Sequence, residues 1–254
     1  MTKLGDIAVI LVSPKGALNV GSVARLLGNF GIKDFRLVAP RCDLKSVECK
    51  QMAMHSFGLV ESAKIFPDLQ SAVADLTQVV ALSGRSVEDR RPSADIYEVQ
   101  DKICAKWNSE DRVGLVFGRE EIGLKLEELC LCHWQVEIPT SGEHSSINLA
   151  SAVGISLSWF HQVLKAETSV EEFQIDRPKM GQDIIFFERM QKLMDEVKFS
   201  NKENPTQLRD DLWSIFHRAD LDDRELRILF GILTALENSI RQKVFHPPAL
   251  HQKN

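Results

Sequence analysis

The 254-residue chain has little cysteine: Cys42, Cys49, Cys104, Cys130 and Cys132, an odd count without a CxxC pair. That set suits a reducing compartment better than a disulfide framework. Long apolar runs are missing as well. The longest, Ile7 to Val12, falls far short of the ~20 residues that span a bilayer, so no membrane partner is expected. The N-terminus lacks a charged region, apolar stretch and small-residue cleavage site in series, and a cytoplasmic location is expected. Its 14 Gly and 9 Pro are too few for collagen-like or low-complexity sequence. No internal repeat is found. What remains is ordinary globular material, 44% hydrophobic and 26% charged, enough for both a core and solubility.

Lys and Arg number 31 against 36 Asp and Glu, and the net charge of −5 argues mildly against a protein that coats nucleic acid. The distribution softens this. Residues 1 to 50 hold eight cations and four acids, so a basic face on an acidic protein is available.

Up to Leu164, short β-rich runs alternate with helical patterns, the signature of an α/β domain with a mostly parallel sheet. Strands are predicted at Ile7 to Val12, Phe35 to Val38, Gln78 to Leu82, Val113 to Phe117 and Gln135 to Ile138, with a weaker one at Lys64 to Phe66. Leu18 to Phe30 has helical spacing and ends before Gly31, a natural C-cap; Asn148 to Leu164 repeats the pattern. Residues 165–181 have no period and are expected to link this domain, 1–164, to a helical one, 182–245. That second unit predicts helices at Gln182 to Phe199, Thr206 to Arg218 and Asp223 to Lys243, the last opened by Asp222 and Glu225 in a capping-box arrangement. The tail, 246–254, is expected to be loose.

Three segments carry the chemistry. Ser13 to Arg25 reads as a strand end, a loop with Gly16 and Gly21, and a helix opening with Asn19 and Arg25, an arrangement that can cradle an anion. The glycines do not form GxGxxG, which disfavours a dinucleotide site; a helix cap beside a solvated Arg is the plain alternative. Val116 to Gly123 places Gly118 and Glu120 beyond the sheet's carboxyl edge, where open α/β sheets bind ligands. Alone, it is a turn with a charged rim. Ile138 to Ala150 is a hydroxyl-rich loop opening a helix, where Ser145 or Ser146 could simply be an N-cap.

Together, in this order and spacing, the segments resemble the three motifs of the SpoU/TrmH branch of the SPOUT methyltransferases. N-x-G-x-x-x-R stands as Asn19, Gly21 and Arg25; F-G-x-E as Phe117, Gly118 and Glu120; S-x-N-L-A as Ser146, Asn148, Leu149 and Ala150. The resemblance spans residues 6 to 162. It implies a deep trefoil knot in the C-terminal part of the domain, an obligate homodimer and S-adenosylmethionine bent among the knotted loops. The helical extension is similar to that of TrmJ-type enzymes, which implies ribose 2′-O-methylation of nucleotide 32 in the tRNA anticodon loop.

By the same resemblance Arg25 is the principal catalytic residue, Asn19 and Glu120 position it or the substrate, and Ser146 and Asn148 line the pocket. A guanidinium is not deprotonated in proteins, so Arg25 is better cast as a clamp on phosphate and developing alkoxide than as a base. Cofactor positions that match are Leu82, Ser83, Gly84, Phe117, Gly118, Ile138, Ser146 and Leu149. Arg85, Arg90 and Arg91 are candidates for the RNA backbone, against a solvated loop part-neutralised by Glu88 and Asp89. No metal is expected, since Cys130, Cys132 and His133 have no second ligand pair nearby. The rival readings are an rRNA or other-position tRNA methyltransferase of the branch, and a catalytically inactive knotted RNA-binding module.

Overall fold

A computed structural model of the chain describes residues 6–83, 94–96, 111–141, 146–166, 176–199, 205–219 and 221–245. Its centre is a seven-stranded parallel sheet: β1 (Ala8–Val12), β2 (Asp34–Val38), β3 (Lys64–Phe66), β4 (Gln78–Leu82), β5 (Ala94–Asp95), β6 (Val113–Phe117) and β7 (Trp134–Glu137), in the order β3-β2-β1-β6-β4-β7-β5. Every residue of β1, β4 and β6 is buried, because helices cover both faces of a parallel sheet. Successive residues of β1 serve opposite cores. Ile7, Val9 and Leu11 face one and Ala8, Ile10 and Val12 the other. The register sets Leu11 beside Phe117 and Phe117 beside Leu82, at the carboxyl edge.

The first core is closed by α1 (Ala17–Phe30), α2 (Val47–Ala53), α3 (Phe57–Glu61) and α6 (Leu149–Ala166). Gly31 caps α1 in the left-handed conformation, φ 72°, as its position predicts. Gly21 is not in a loop. It lies inside α1 against α2, where an added Cβ would come within 2.3 Å of the Cys49 carbonyl oxygen, so its role is close helix packing.

On the other face lie α4 (Leu69–Val73), α5 (Leu126–Cys130), α7 (Met180–Glu196), α8 (Pro205–Ala219) and α9 (Asp223–Phe245). The C-terminal helices share the second core with the strands. Met180, Ile184, Phe187, Trp213, Leu226 and Leu233 are buried with Ile10, Val12, Val79 and Ala81, and Phe187 stacks on Trp213 at 3.9 Å between ring centroids. The capping box at α9 forms in both directions, at 2.9 and 2.7 Å. The aperiodic stretch is shorter than the sequence suggests at both ends: α6 runs to Ala166, α7 opens at Met180, and Arg177, Pro178 and Met180 are buried. Periodicity misses such residues because their burial comes from neighbours remote in sequence. Among the described residues no helix is long and apolar enough to cross a membrane.

Candidate active site

Helix α1 starts directly after β1 and its turn, so its first N–H groups point past the carboxyl edge of the sheet. Those donors have no partner inside the helix. The loop after β6 brings a carboxylate to the turn just before them: one oxygen of Glu120 accepts from Gly16 N–H (3.0 Å) and from the Asn19 side-chain amide (3.1 Å), and both oxygens are reached by Lys15 N–H (3.3 and 3.2 Å). The anion cradle anticipated at this turn is thus filled by the protein's own carboxylate. Burial works to raise the pKa of Glu120, but hydrogen bonds from Asn19 and from the N–H groups of Glu120, Gly16 and Lys15 outweigh it and hold the carboxyl below its usual range. Glu120 is ionised at neutral pH.

The loop that carries Glu120 is folded back on itself. A Cβ at Gly118 would lie 2.2 Å from the carbonyl carbon of Gly123, so only glycine fits. Arg119 and Gly123 exchange backbone hydrogen bonds (3.1 and 2.9 Å), while the Arg119 guanidinium grips Glu128 with two bonds of 2.8 Å. Glu128 also accepts from Lys125 N–H at 2.7 Å. Sequence reasoning missed this clamp. Its only trace there is the pair of glycines bracketing a charged turn between strand and helix.

The third segment joins through Asn148. Its amide donates to Asn19 Oδ1 (3.0 Å), and its own Oδ1 accepts from Ala150 N–H (2.9 Å) and Ser151 N–H (3.3 Å). Asn148, not Ser146, therefore caps α6, and Ser145 lies outside the described residues. The result is a continuous relay of hydrogen bonds, Glu120 to Asn19 to Asn148 to the start of α6.

Beside this relay opens a cavity of about 330 Å³ lined by Leu82, Ser83, Phe117, Gly118, Ile138, Ser146 and Leu149. These are all the described positions matched to the cofactor; Gly84 lies outside the described residues, as do Arg85, Arg90 and Arg91. Glu120, expected at this edge, lines the cavity as well; the sequence did not anticipate Arg119, Glu121, Ile122, Ile147 and Ala152 in its wall. Apolar side chains beside an ionised relay suit a ligand with one flat apolar part and one charged part.

Arg25 is separate. It is exposed on α1, does not line the cavity, and has no hydrogen bond or ion pair with any described residue. Cys130 and Cys132 are buried, and His133 Nδ1 accepts from Val79 N–H at 3.0 Å. Among the described residues, no group of three or more His, Cys, Asp or Glu could hold a metal.

Residues 6–158 match the SpoU rRNA Methylase family, and residues 183–244 match the C-terminal domain of the tRNA methyltransferase TrmJ. The chain is 31% identical to tRNA (cytidine/uridine-2′-O-)-methyltransferase TrmJ of Klebsiella pneumoniae over 94% of its own length and 100% of that protein's. Among solved structures, TrmJ of Z. mobilis superposes with a TM-score of 0.78 at 26% identity, covering 91% of this chain and 98% of that one. A structure described as giving insights into 2-OH methylation of C/U34 on tRNA superposes with a TM-score of 0.52 at 25% identity, covering 63% of this chain and 97% of the other.

Proposed function

The chain belongs to the SpoU methylase family and is a methyltransferase; from that premise we propose that it moves a methyl group from S-adenosylmethionine to a ribose 2′-OH of tRNA, at nucleotide 32 of the anticodon loop. The observation that carries this reading is the relay of Glu120, Asn19 and Asn148, which meets the 330 Å³ cavity at Glu120. The residues fit the cofactor: Phe117, Leu82, Ile138 and Leu149 offer apolar cover, and Ser83 and Ser146 offer hydroxyls. Bound there, S-adenosylmethionine supplies an electrophilic methyl on a sulfonium.

The chain's own residues do the rest. Ionised Glu120, engaged by three donors of the first segment, holds the α1 turn in register with the cavity and acts as a positioning residue. Asn148 fixes the start of α6, and with it Leu149 on the cavity wall. Arg25, free of partners among the described residues, meets the RNA and clamps the phosphate beside the reacting ribose, where its fork stabilises charge as the methyl moves. A homodimer, the trefoil knot, a cytoplasmic location and a division into a methyltransferase domain and a helical domain belong to the same reading.

Labelled cofactor, wild-type protein and unmodified total tRNA, followed by mapping of the labelled nucleotide, test it. Label at nucleotide 32 is expected; no label on any RNA would refute methyl transfer. The second reading is methylation at position 34, favoured by the described action of one structural neighbour. That neighbour covers 63% of this chain, whereas the TrmJ proteins of Klebsiella pneumoniae and Z. mobilis match over 94% and 91% of it.

A further inference from the structure

Ion pairing divides the cations of the sheet domain into two sets. Lys15, Arg36, Lys64, Arg112, Arg119 and Lys125 each meet a carboxylate within 4.0 Å. Arg25, Lys33, Arg41, Lys45 and Lys50 are exposed and meet none among the described residues. Lys33 precedes β2, at the far edge of the sheet. The other four follow one path. The N–H of Arg41 donates to the carbonyl of Pro14 at 2.9 Å, next to the Lys15 and Gly16 donors that hold Glu120. Lys45 stands on the turn capped by Asp43 and leads into α2. Lys50, its ammonium 5.4 Å from the Phe57 ring, lies where α2 touches α1 at Gly21, and Arg25 lies one turn further along that face of α1. The acids on the path are Asp43 and Glu48. Val47, Met52 and Met54 stand exposed among the cations, 65%, 37% and 53%, and provide apolar ground between them.

An ion pair that is already made has little left to offer a new anion, whereas a solvated, unpaired cation releases its counterions on meeting phosphate. We propose that Arg41, Lys45 and Lys50 form a phosphate track that carries the RNA strand from the cavity mouth past Arg25. The inference rests on the methyltransferase reading and adds the residues that hold the substrate's backbone. A strand laid along α2 keeps its flanking phosphates on Arg41 and Lys45 while Arg25 holds the phosphate next to the target ribose.

The test compares wild type, Arg41→Ala, Lys45→Ala, Lys50→Ala and their triple combination with Lys64→Ala, whose ammonium already pairs with Asp34 at 3.0 Å. Binding of unmodified tRNA is measured over a salt series, with single-turnover methylation at saturating tRNA followed in parallel. Each single variant of the track should flatten the plot of log affinity against log salt by about one unit, and the triple by about two to three. Single-turnover rates should stay within about twofold, and Lys64→Ala should keep the wild-type slope. A wild-type slope in the triple variant overturns the proposal, as does an equal loss in Lys64→Ala or a change of the triple variant's sedimentation from dimer to monomer, which would make this face a subunit interface instead. Failure of the underlying reading is distinct: no protein in the set, wild type included, would then transfer methyl.

Discussion

The two edges of the sheet hold the same ingredients, carboxylates, cations and backbone donors, and use them to opposite ends. At the amino edge the cations already meet carboxylates among the described residues. Arg36, 1% exposed, is bound by Asp34 and the Ala72 carbonyl at 2.6 Å each and by Asp75, while Arg177 meets Asp111 at 2.6 Å with Thr77 on the same carboxylate at 2.9 Å. The space beside Arg177 is about 20 Å³, room for about one water. At the carboxyl edge the relay of Glu120, Asn19 and Asn148 borders a cavity of about 330 Å³. A polar network closed on itself holds the fold; one with a furnished space beside it is placed to hold a ligand.

Four changes break or sharpen that contrast. The largest effect belongs to the closed edge. Asp111→Ala takes a buried carboxylate away from the buried Arg177 guanidinium, and loss of one member of a buried pair costs ~3–5 kcal/mol, which urea unfolding should register. The double change Asp111→Ala with Arg177→Met should recover much of that, since both members of the buried ion pair are then removed. The open edge should answer differently: Glu120→Ala should lower single-turnover methylation by ~100-fold or more, the ~3 kcal/mol scale of losing preorganised positioning, with less than ~1 kcal/mol lost in unfolding. A large loss of stability with normal activity would erase the distinction between the edges.

The third change uses pH. Asp183, on α7 beside the 20 Å³ cavity, is pushed up by burial to about 7. A carboxyl whose folded pKa lies above its unfolded value binds more protons when folded, so stability falls as pH rises from the unfolded value toward 7. Wild type should therefore be about 3 kcal/mol less stable at pH 8 than at pH 5 from this group, and Asp183→Asn should remove that slope in unfolding measured across the range. The smallest expected effect tests the relay itself. Asn148→Asp keeps an acceptor to cap α6 but loses the donor to Asn19, so it should cost methylation and leave unfolding unchanged. Asn148→Ala should also lose about 1 kcal/mol, the ordinary worth of a cap, read from the same urea curves.

Much of the sheet was legible in the sequence. Gln78–Leu82 and Val113–Phe117 fall at the predicted ends because strands buried on both faces are apolar runs with sharp borders. The helices α2 to α5 were not, being five to seven residues long, too short for a period of 3.6 to declare itself. Asn19, Glu120 and Asn148 could be picked out through a family resemblance, yet their mutual contacts could not, because nothing local states that Asn148 reaches Asn19. Arg177 shows the same limit. Among Glu172, Asp176 and Pro178 it reads as a solvated residue, and its buried partner is 66 positions away.

The relay is also a matter of timing in folding. The bond between Asn19 and Asn148 closes a separation of 129 residues, and that between Asn19 and Glu120 one of 101. Contacts so remote in sequence are late entropic gains, available only after β1 and β6 have paired and α1 and α6 have docked. Reversed, the same order makes the site an early casualty: fraying at the start of either helix disconnects the relay while the sheet persists. Loss of activity in mild denaturant should run ahead of loss of structure, and the distance between the two curves would measure how loosely the last-formed part of the molecule is fastened to the first.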